Sequence, residues 1–454
     1  MSQTSASSAA PGRSSPRRAD ELIAEDILHY GEPIARDLYV DMFRLTLDRL
    51  KHWGDRASAR AAADETDSDS IAATLLSDAA REGASDIHVD PMREGAMVRF
   101  RVNGLMYDVA ELLPHQTARL VNQIKTSAEI DPMHAFRPIE GRWRHEAEGR
   151  SFDLRVTCVP SVSGDKLTVR VLDPQRIGHQ LHDLGLSEAH RQEIEDWTEY
   201  ADGLFLSVGP TGAGKTTTLY ALLHKFRDTD KSVVTIEDPV EYRLDGLTQI
   251  QVDTRHALTF ANGLRSMLRL DPDYMMVGEV RDDASAHAAV EAAVTGRVVI
   301  STIHCGDAAA SVTALRNWGL TNHQIAASLR VVVAQRLLRR LDPKRRIEVR
   351  PNDADLAWLR AVGAEPPSAC FARDPDSEPD ELHGPGRVGL FEVLRLREDD
   401  LDLILRGAGQ REMRRGLAER EHRTLIDDGL AKVEAGLVSL GDLRRCIGVP
   451  VLPK

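Results

Sequence analysis

The stretch LFLSVGPTGAGKTTTLY, residues 204–220, decides the architecture. An apolar run enters Gly209-Pro210-Thr211-Gly212-Ala213-Gly214-Lys215-Thr216, which satisfies G-x-x-x-x-G-K-[ST] in full, and a helical run follows from Thr217. Glycines let successive backbone N–H groups turn inward around an anion, and a helix N-terminus adds partial positive charge. Lys215 supplies a mobile ammonium for β- and γ-phosphates, and the Thr216 hydroxyl is placed to hold Mg²⁺. A chance glycine-rich turn is the bland alternative, and the flanking strand and helix count against it. Gly209 through Thr217 read as a nucleotide-binding loop.

Outward from the loop, strand-like and helix-like runs alternate: GLFLSVG, a helix, SVVTIED, LTQIQVD, a helix, YMMVGEV, a helix, RVVISTIH, a helix. That alternation predicts a mostly parallel sheet wound with helices, over a domain spanning 186–454. Such sheets present ligands at the C-terminal ends of their strands. Those ends carry acids. TIEDPVEY (235–242) offers Glu237, Asp238 and Glu241, where a carboxylate could orient an attacking water; a solvated acidic turn is the plainer reading of its composition. DPDYMMVGEVRDD (271–283) brings Glu279 to the end of a buried strand, the usual place for Mg²⁺ coordination beside a P-loop. STIHC (301–305) ends another strand on His304, although a lone histidine is more often structural. Arg265 and Arg269 lie one helical turn apart, and Arg142 and Arg155 lie upstream. They are either surface charge or guanidinium contacts to phosphate from a neighbouring domain or subunit.

Upstream, residues 71–175 mix a helix (IAATLLSDAAREG) with alternating strands and turns at NG (103–104) and SG (163–164), which predicts a smaller α+β domain. Residues 1–19 read as a disordered tail, 20–58 as a helical segment and 59–70 as an acidic linker. Residues 342–386, rich in Pro, Asp and Arg, read as an irregular insertion, and helices close the chain. The 454 residues carry a net charge of −13, which argues against a general nucleic-acid coat. The four cysteines are scattered without a C-x-x-C pair, as expected of reduced thiols with no structural zinc. No apolar run is long enough to span a bilayer.

With these stretches in view, the chain resembles the type II secretion and type IV pilus assembly ATPases, hexameric motors of the bacterial cytoplasm. ASDIHVDP, VRFRVNG, GPTGAGKTTTLYALL, TIEDPVEY, LTFANGLRSMLRLDPDYMMVGEVRD, TGRVVISTIH and VAQRLLRRL carry the resemblance. GRVGLFEVL and RTLIDDGLAKVEAGLVSLGDL extend it, from about Ile71 to Gly448. It implies a P-loop, RecA-like α/β ATPase domain behind a PAS-like α+β domain, and ATP and Mg²⁺ as cofactors. It implies a homo-hexamer that works with a polytopic inner-membrane platform protein, with neither nucleic acid nor a membrane span of its own. Glu241 becomes the water-activating base of an acidic box and Glu279 the Walker B glutamate, while His304 is the second residue of a histidine box. Arg142, Arg155, Arg265 and Arg269 match arginines that approach the phosphates. Three departures stand out. Arg297 replaces the first histidine of the box, where its charge beside His304 would favour phosphate contact. The four-cysteine zinc motif is missing, and so is the long N-terminal docking domain. A retraction motor, a conjugative-type secretion ATPase and a degenerate nucleotide-binding scaffold remain the alternatives.

Overall fold

The computed structural model describes residues 71–132, 137–147, 149–172, 179–199, 202–227, 229–376 and 386–448. The expected tail, N-terminal helices and linker lie outside them.

In the first unit, an antiparallel sheet of order β3-β2-β1-β6-β5-β4 is covered by two helices. The strands are β1 (Asp86–Met92), β2 (Gly95–Val102), β3 (Leu105–Leu112), β4 (Ile139–Ala147), β5 (Arg150–Ser161) and β6 (Gly164–Leu172), and the helices are α1 (Ile71–Arg81) and α2 (Pro114–Ser127). Period-two alternation explains the one-sided core. Ala96, Val98, Phe100 and Val102 of β2 and Phe152, Leu154 and Val156 of β5 are buried with Leu75 and Leu76 of α1 and Leu120 and Ile124 of α2. The NG turn between β2 and β3 has φ of 50° at Asn103 and 88° at Gly104, the left-handed pair a two-residue hairpin needs.

Register then sets an arginine row across this sheet. Arg142 lies opposite Arg155, and Arg155 opposite Arg170. Like charges directly opposite one another are destabilising unless counter-charge is supplied. Arg170 finds Asp86, with Nε to Oδ1 at 3.1 Å. The other two arginines reach out of the domain.

The second unit is built on a sheet of order β15-β12-β7-β11-β10-β8-β9. Its parallel strands are β7 (Leu204–Val208), β8 (Val233–Glu237), β9 (Thr248–Gln251), β10 (Tyr274–Val277), β11 (Val298–Ile303) and β12 (Leu329–Arg339), with β15 (Arg387–Arg395) antiparallel to β12 at the edge. Strands buried on both faces read as unbroken apolar runs. Alternate residues of one strand therefore enter different cores. Phe205 packs with Ile194 and Trp197 of α3 (Glu188–Glu199) and Leu222 and Phe226 of α4 (Lys215–Arg227). Leu204, Leu206 and Val208 pack on the other side with Ala288, Ala289 and Ala292 of α6 (Asp283–Val294). Between them in sequence lies α5 (Phe260–Met267), and α7 (Ala308–Asn317) and α8 (Asn322–Ser328) follow β11.

Of the stretch 342–386, expected to be irregular, the described part up to residue 376 is ordered into elements. It holds a two-stranded ribbon of β13 (Arg346–Glu348) and β14 (Phe371–Arg373), and between them α9 (Asp353–Val362). Composition hid the helix, whereas its ends announce it: Asn352 caps the N-terminus through Asp355 N–H, and Gly363 closes it at φ 71°. Trp358 and Leu359 anchor it in the core. The chain then closes with α10 (Glu398–Leu405), α11 (Gln410–Glu419), α12 (Leu425–Glu434) and α13 (Leu440–Ile447).

Candidate active site

The parallel order places the C-terminal ends of β7, β11, β10 and β8 side by side, so the P-loop, His304, Glu279 and Glu237 arrive at one edge. The loop from Gly209 to Gly214 joins β7 to α4, with φ of 76° at Gly212 and 87° at Gly214, conformations that cost other residues strain. The Lys215 ammonium donates to the carbonyls of Gly209 at 2.8 Å and Pro210 at 3.0 Å, which curls it along the loop. Burial draws this ammonium below the usual lysine range, and the nearby Glu279 carboxylate opposes that. Thr216 is exposed on the first turn of α4. A cavity of about 480 Å³ is lined by Gly214, Thr216, Thr217 and Glu241, together with Asn103, Tyr242 and Phe391. That volume is within the range of small-molecule sites.

The three carboxylates of TIEDPVEY have three different fates. Glu237 is buried and structural: it accepts from the Tyr220 hydroxyl at 2.6 Å, the Thr235 hydroxyl at 2.7 Å and Gln249 Nε2 at 3.2 Å. Burial pushes its carboxyl up, and these donors pull it back. Asp238 accepts from Arg281 at 3.4 Å. Glu241 alone faces the cavity, and it is held from the first unit, where Arg155 donates to Oε2 at 3.0 Å and to the Val240 carbonyl at 3.1 Å. Arg142 donates to Gln251 at 3.0 Å. The two arginines that face each other on the N-terminal sheet thus meet the second unit beside the acidic segment.

Glu279 is bonded to Arg281 and lies 3.8 Å from His304 Nε2. Burial, then the charge of Lys215 and that of Arg281, hold the His304 imidazole below its ordinary value against the pull of Glu279. Arg265 and Arg269 are both exposed, on α5 and on the 3-10 turn that follows it, and are not among the groups that meet at the loop. Arg297 corrects an expectation. It precedes β11 while His304 follows it, so a six-residue strand separates them, roughly 20 Å at the usual rise. Arg297 is half-buried and donates to the Thr295 carbonyl at 3.3 Å.

Two contributors escaped the sequence reading although their stretch, VAQRLLRRL, was noted. Buried Gln335 of β12 accepts from the Ser207 and Thr218 hydroxyls, both at 2.9 Å, and donates to the Ala213 carbonyl at 2.8 Å. It ties β7, the loop and α4 together. Arg336 donates to the Gly306 carbonyl at 2.7 Å, beyond His304. A single amide in the apolar run VVVAQRLL was the available signal, because a buried polar side chain has partners. Arg281, two residues after Glu279, pairs with both Glu279 and Asp238 and carries no motif signal of its own.

Residues 62–445 match the family model described as Type II/IV secretion system protein. Type II secretion system protein E of Pseudomonas aeruginosa is 38% identical over 372 residues, 82% of this chain and 74% of that protein. Type II secretion system ATPase E of Vibrio cholerae is 35% identical over 373 residues, covering 82% and 73%. Among solved structures, the ATPase DotB of Legionella pneumophila superposes with a TM-score of 0.62 at 21% identity, covering 84% of this chain and 97% of that one. The pilus retraction motor PilT with bound ADP gives 0.57 at 22%, covering 82% and 96%. These two establish likeness of fold. Together with the P-loop and its carboxylates, the matches place the chain in the Type II/IV secretion system protein family, as one of its P-loop ATPases.

Proposed function

We propose that the chain hydrolyses ATP as the motor of a type II secretion or type IV pilus assembly machine, and that Glu241 orients the attacking water. One observation carries the mechanism: of the three acids in TIEDPVEY, only Glu241 shares the cavity with Gly214, Thr216 and Thr217. In this reading the loop N–H groups and Lys215 hold the phosphates and draw off charge as the bond to the γ-phosphorus breaks. The water oxygen attacks γ-phosphorus in line, its proton passes to the Glu241 carboxylate, and ADP and phosphate leave. Thr216 and Glu279 supply a hydroxyl and a carboxylate, the hard oxygen donors Mg²⁺ prefers. Among the described residues no group of three or more His, Cys, Asp or Glu forms a metal cage, consistent with an ion that would share its shell with phosphate oxygens. Bound there, Mg²⁺ would neutralise charge on the β- and γ-phosphates. His304, Arg142 and Arg155 are assigned supporting roles at this centre. Arg265 and Arg269 are assigned to a boundary between subunits of a homo-hexamer.

Residues 71–175 are read as the PAS-like unit and 186–454 as the RecA-like unit. The relatives named for type II secretion favour that system over retraction. No described helix is long and apolar enough to cross a membrane, so a cytoplasmic motor would act through a polytopic inner-membrane platform protein. The test is Glu241→Gln. Nucleotide binding should persist while turnover falls on the order of a hundredfold; retained turnover would remove Glu241 from the chemistry.

A further inference from the structure

A second cavity, of about 220 Å³, lies between α3, the end of β15 and the turn after α11. Its walls include His190 and Glu193 of α3, Arg395 and Arg397 at the end of β15, and His422 and Arg423 of the turn. His190 is 4% exposed. Its Nδ1 and the Nε2 of His422 are buried without a hydrogen-bond partner among the described residues. The nearest carboxylate oxygen to that Nε2, on Glu392, is 3.6 Å away, beyond hydrogen-bond reach. Arg420 also lines the cavity but is committed to the buried Asp400. Arg395, Arg397 and Arg423 are exposed residues of the lining, and the charges of Arg397 and Arg395 act on Glu193. Glu193 and Glu421 are the acids of the lining. Burial pushes the Glu193 carboxyl up, toward the protonated form that can donate.

Unpaired buried imidazole nitrogens are costly, and three guanidinium groups around one small space repel. A single anion would answer both deficits. A phosphate brings more oxygens than a carboxylate for the imidazole nitrogens and the three arginines of the lining to share, and the guanidinium fork suits phosphate oxygens. The volume falls below the range that holds a whole nucleotide and accommodates one or two phosphate groups. We propose that this cavity is a binding site for a small phosphate-bearing anion, separate from the P-loop, that ties α3 to the C-terminal turn. It does not depend on the catalytic roles assigned above.

The P-loop could also take phosphate, so the test uses the full chain carrying Lys215→Ala. Inorganic phosphate and pyrophosphate are the probes, with chloride at matched ionic strength as control, read by equilibrium dialysis and thermal midpoint. We expect saturable binding near one site per chain and a midpoint rise that chloride does not reproduce. Adding Arg397→Ala and Arg423→Ala, both exposed positions whose loss leaves the core intact, should weaken binding by about tenfold or more. His190→Gln should weaken it as well. Absence of saturable binding, an equal response to chloride, or binding unchanged by the arginine substitutions would each overturn the proposal.

Discussion

Arg155→Ala tests whether the N-terminal unit takes part in turnover. Arg155 meets Glu241 with one nitrogen at 3.0 Å and the other at 3.5 Å, and the two side chains are 20% and 28% exposed. At a charge separation of about 4 Å and an effective dielectric near 20, the gross attraction is about 4 kcal/mol. Solvent screening at this exposure and the cost of ordering two long side chains cut the net to about 1–1.5 kcal/mol. That is roughly tenfold in the population of the arrangement with the arginine on the acidic segment. Folding of the N-terminal sheet should not suffer, since the substitution also relieves repulsion with Arg142 and Arg170 across the strands. If hydrolysis needs the docked arrangement, kcat should fall about tenfold while affinity for a non-hydrolysable ATP analogue stays within about twofold. Arg155→Lys should recover only part of the loss, because an ammonium cannot make the forked contact. A double-mutant cycle with Glu241→Gln should show coupling of about 1 kcal/mol or more. Additive losses, or a kcat within twofold of the parent, would refute the reasoning and leave Arg155 a surface contact.

Lys215→Ala should abolish nucleotide binding and turnover together, because its charge serves the bound ground state as well as the transition state; binding that survives in a fluorescent-nucleotide titration would contradict this. Tyr220→Phe removes a donor to buried Glu237 and should cost about 1–3 kcal/mol, measured as a lower urea midpoint with an unchanged m-value. Burial lowers the His190 imidazole to about 4 from an ordinary 6.5. The unfolded chain therefore takes up a proton that the fold refuses, so this contribution is complete above pH 6.5 and is lost as pH falls toward 4, by about 2–3 kcal/mol. His190→Gln should flatten the stability profile between pH 6.5 and 4, and an identical slope would show that other groups dominate. Arg297→Ala should change kcat by less than about twofold, since Arg297 sits at the far end of β11 from the site; a large loss in a steady-state assay would place it in the machinery after all.

What could be read in the sequence was what is contiguous in it. The phosphate loop is one unbroken motif, and the acids at strand ends follow from an alternation whose period is local. The NG hairpin was legible for the same reason, since its two left-handed residues are neighbours. Gln335 was not, because its partners Ser207, Ala213 and Thr218 become its neighbours only when β12 inserts beside β7. Nor could the acids of TIEDPVEY be told apart. Glu237 and Glu241 differ in what surrounds them: a tyrosine, a threonine and a glutamine around one, a cavity and a foreign arginine around the other. Arg297 shows the converse error. Two residues of one short motif are close in sequence, yet the extended strand between them carries them apart.

The same contacts decide which part of the site can respond to nucleotide. Glu237, at the start of the acidic segment, and Tyr242, at its end, both bond to the Tyr220 hydroxyl. Gln249 closes the knot by donating to Glu237 and to the Tyr242 carbonyl. Tyr220 belongs to α4, the helix that begins with Lys215. Phosphate grip and acidic segment are therefore parts of one rigid body, and shifting Glu241 relative to the loop would break buried hydrogen bonds at about 1–3 kcal/mol each. Arg155 and Arg142 are under no such constraint. The apolar core of their unit shares no residue with the two cores around the parallel sheet, and relative motion is the ordinary expectation for units joined through polar contacts. A change at the γ-phosphate can thus be felt across the Arg155–Glu241 contact more cheaply than anywhere within the ATPase unit. Glu241, the residue proposed to orient the water, is held by the element best able to move.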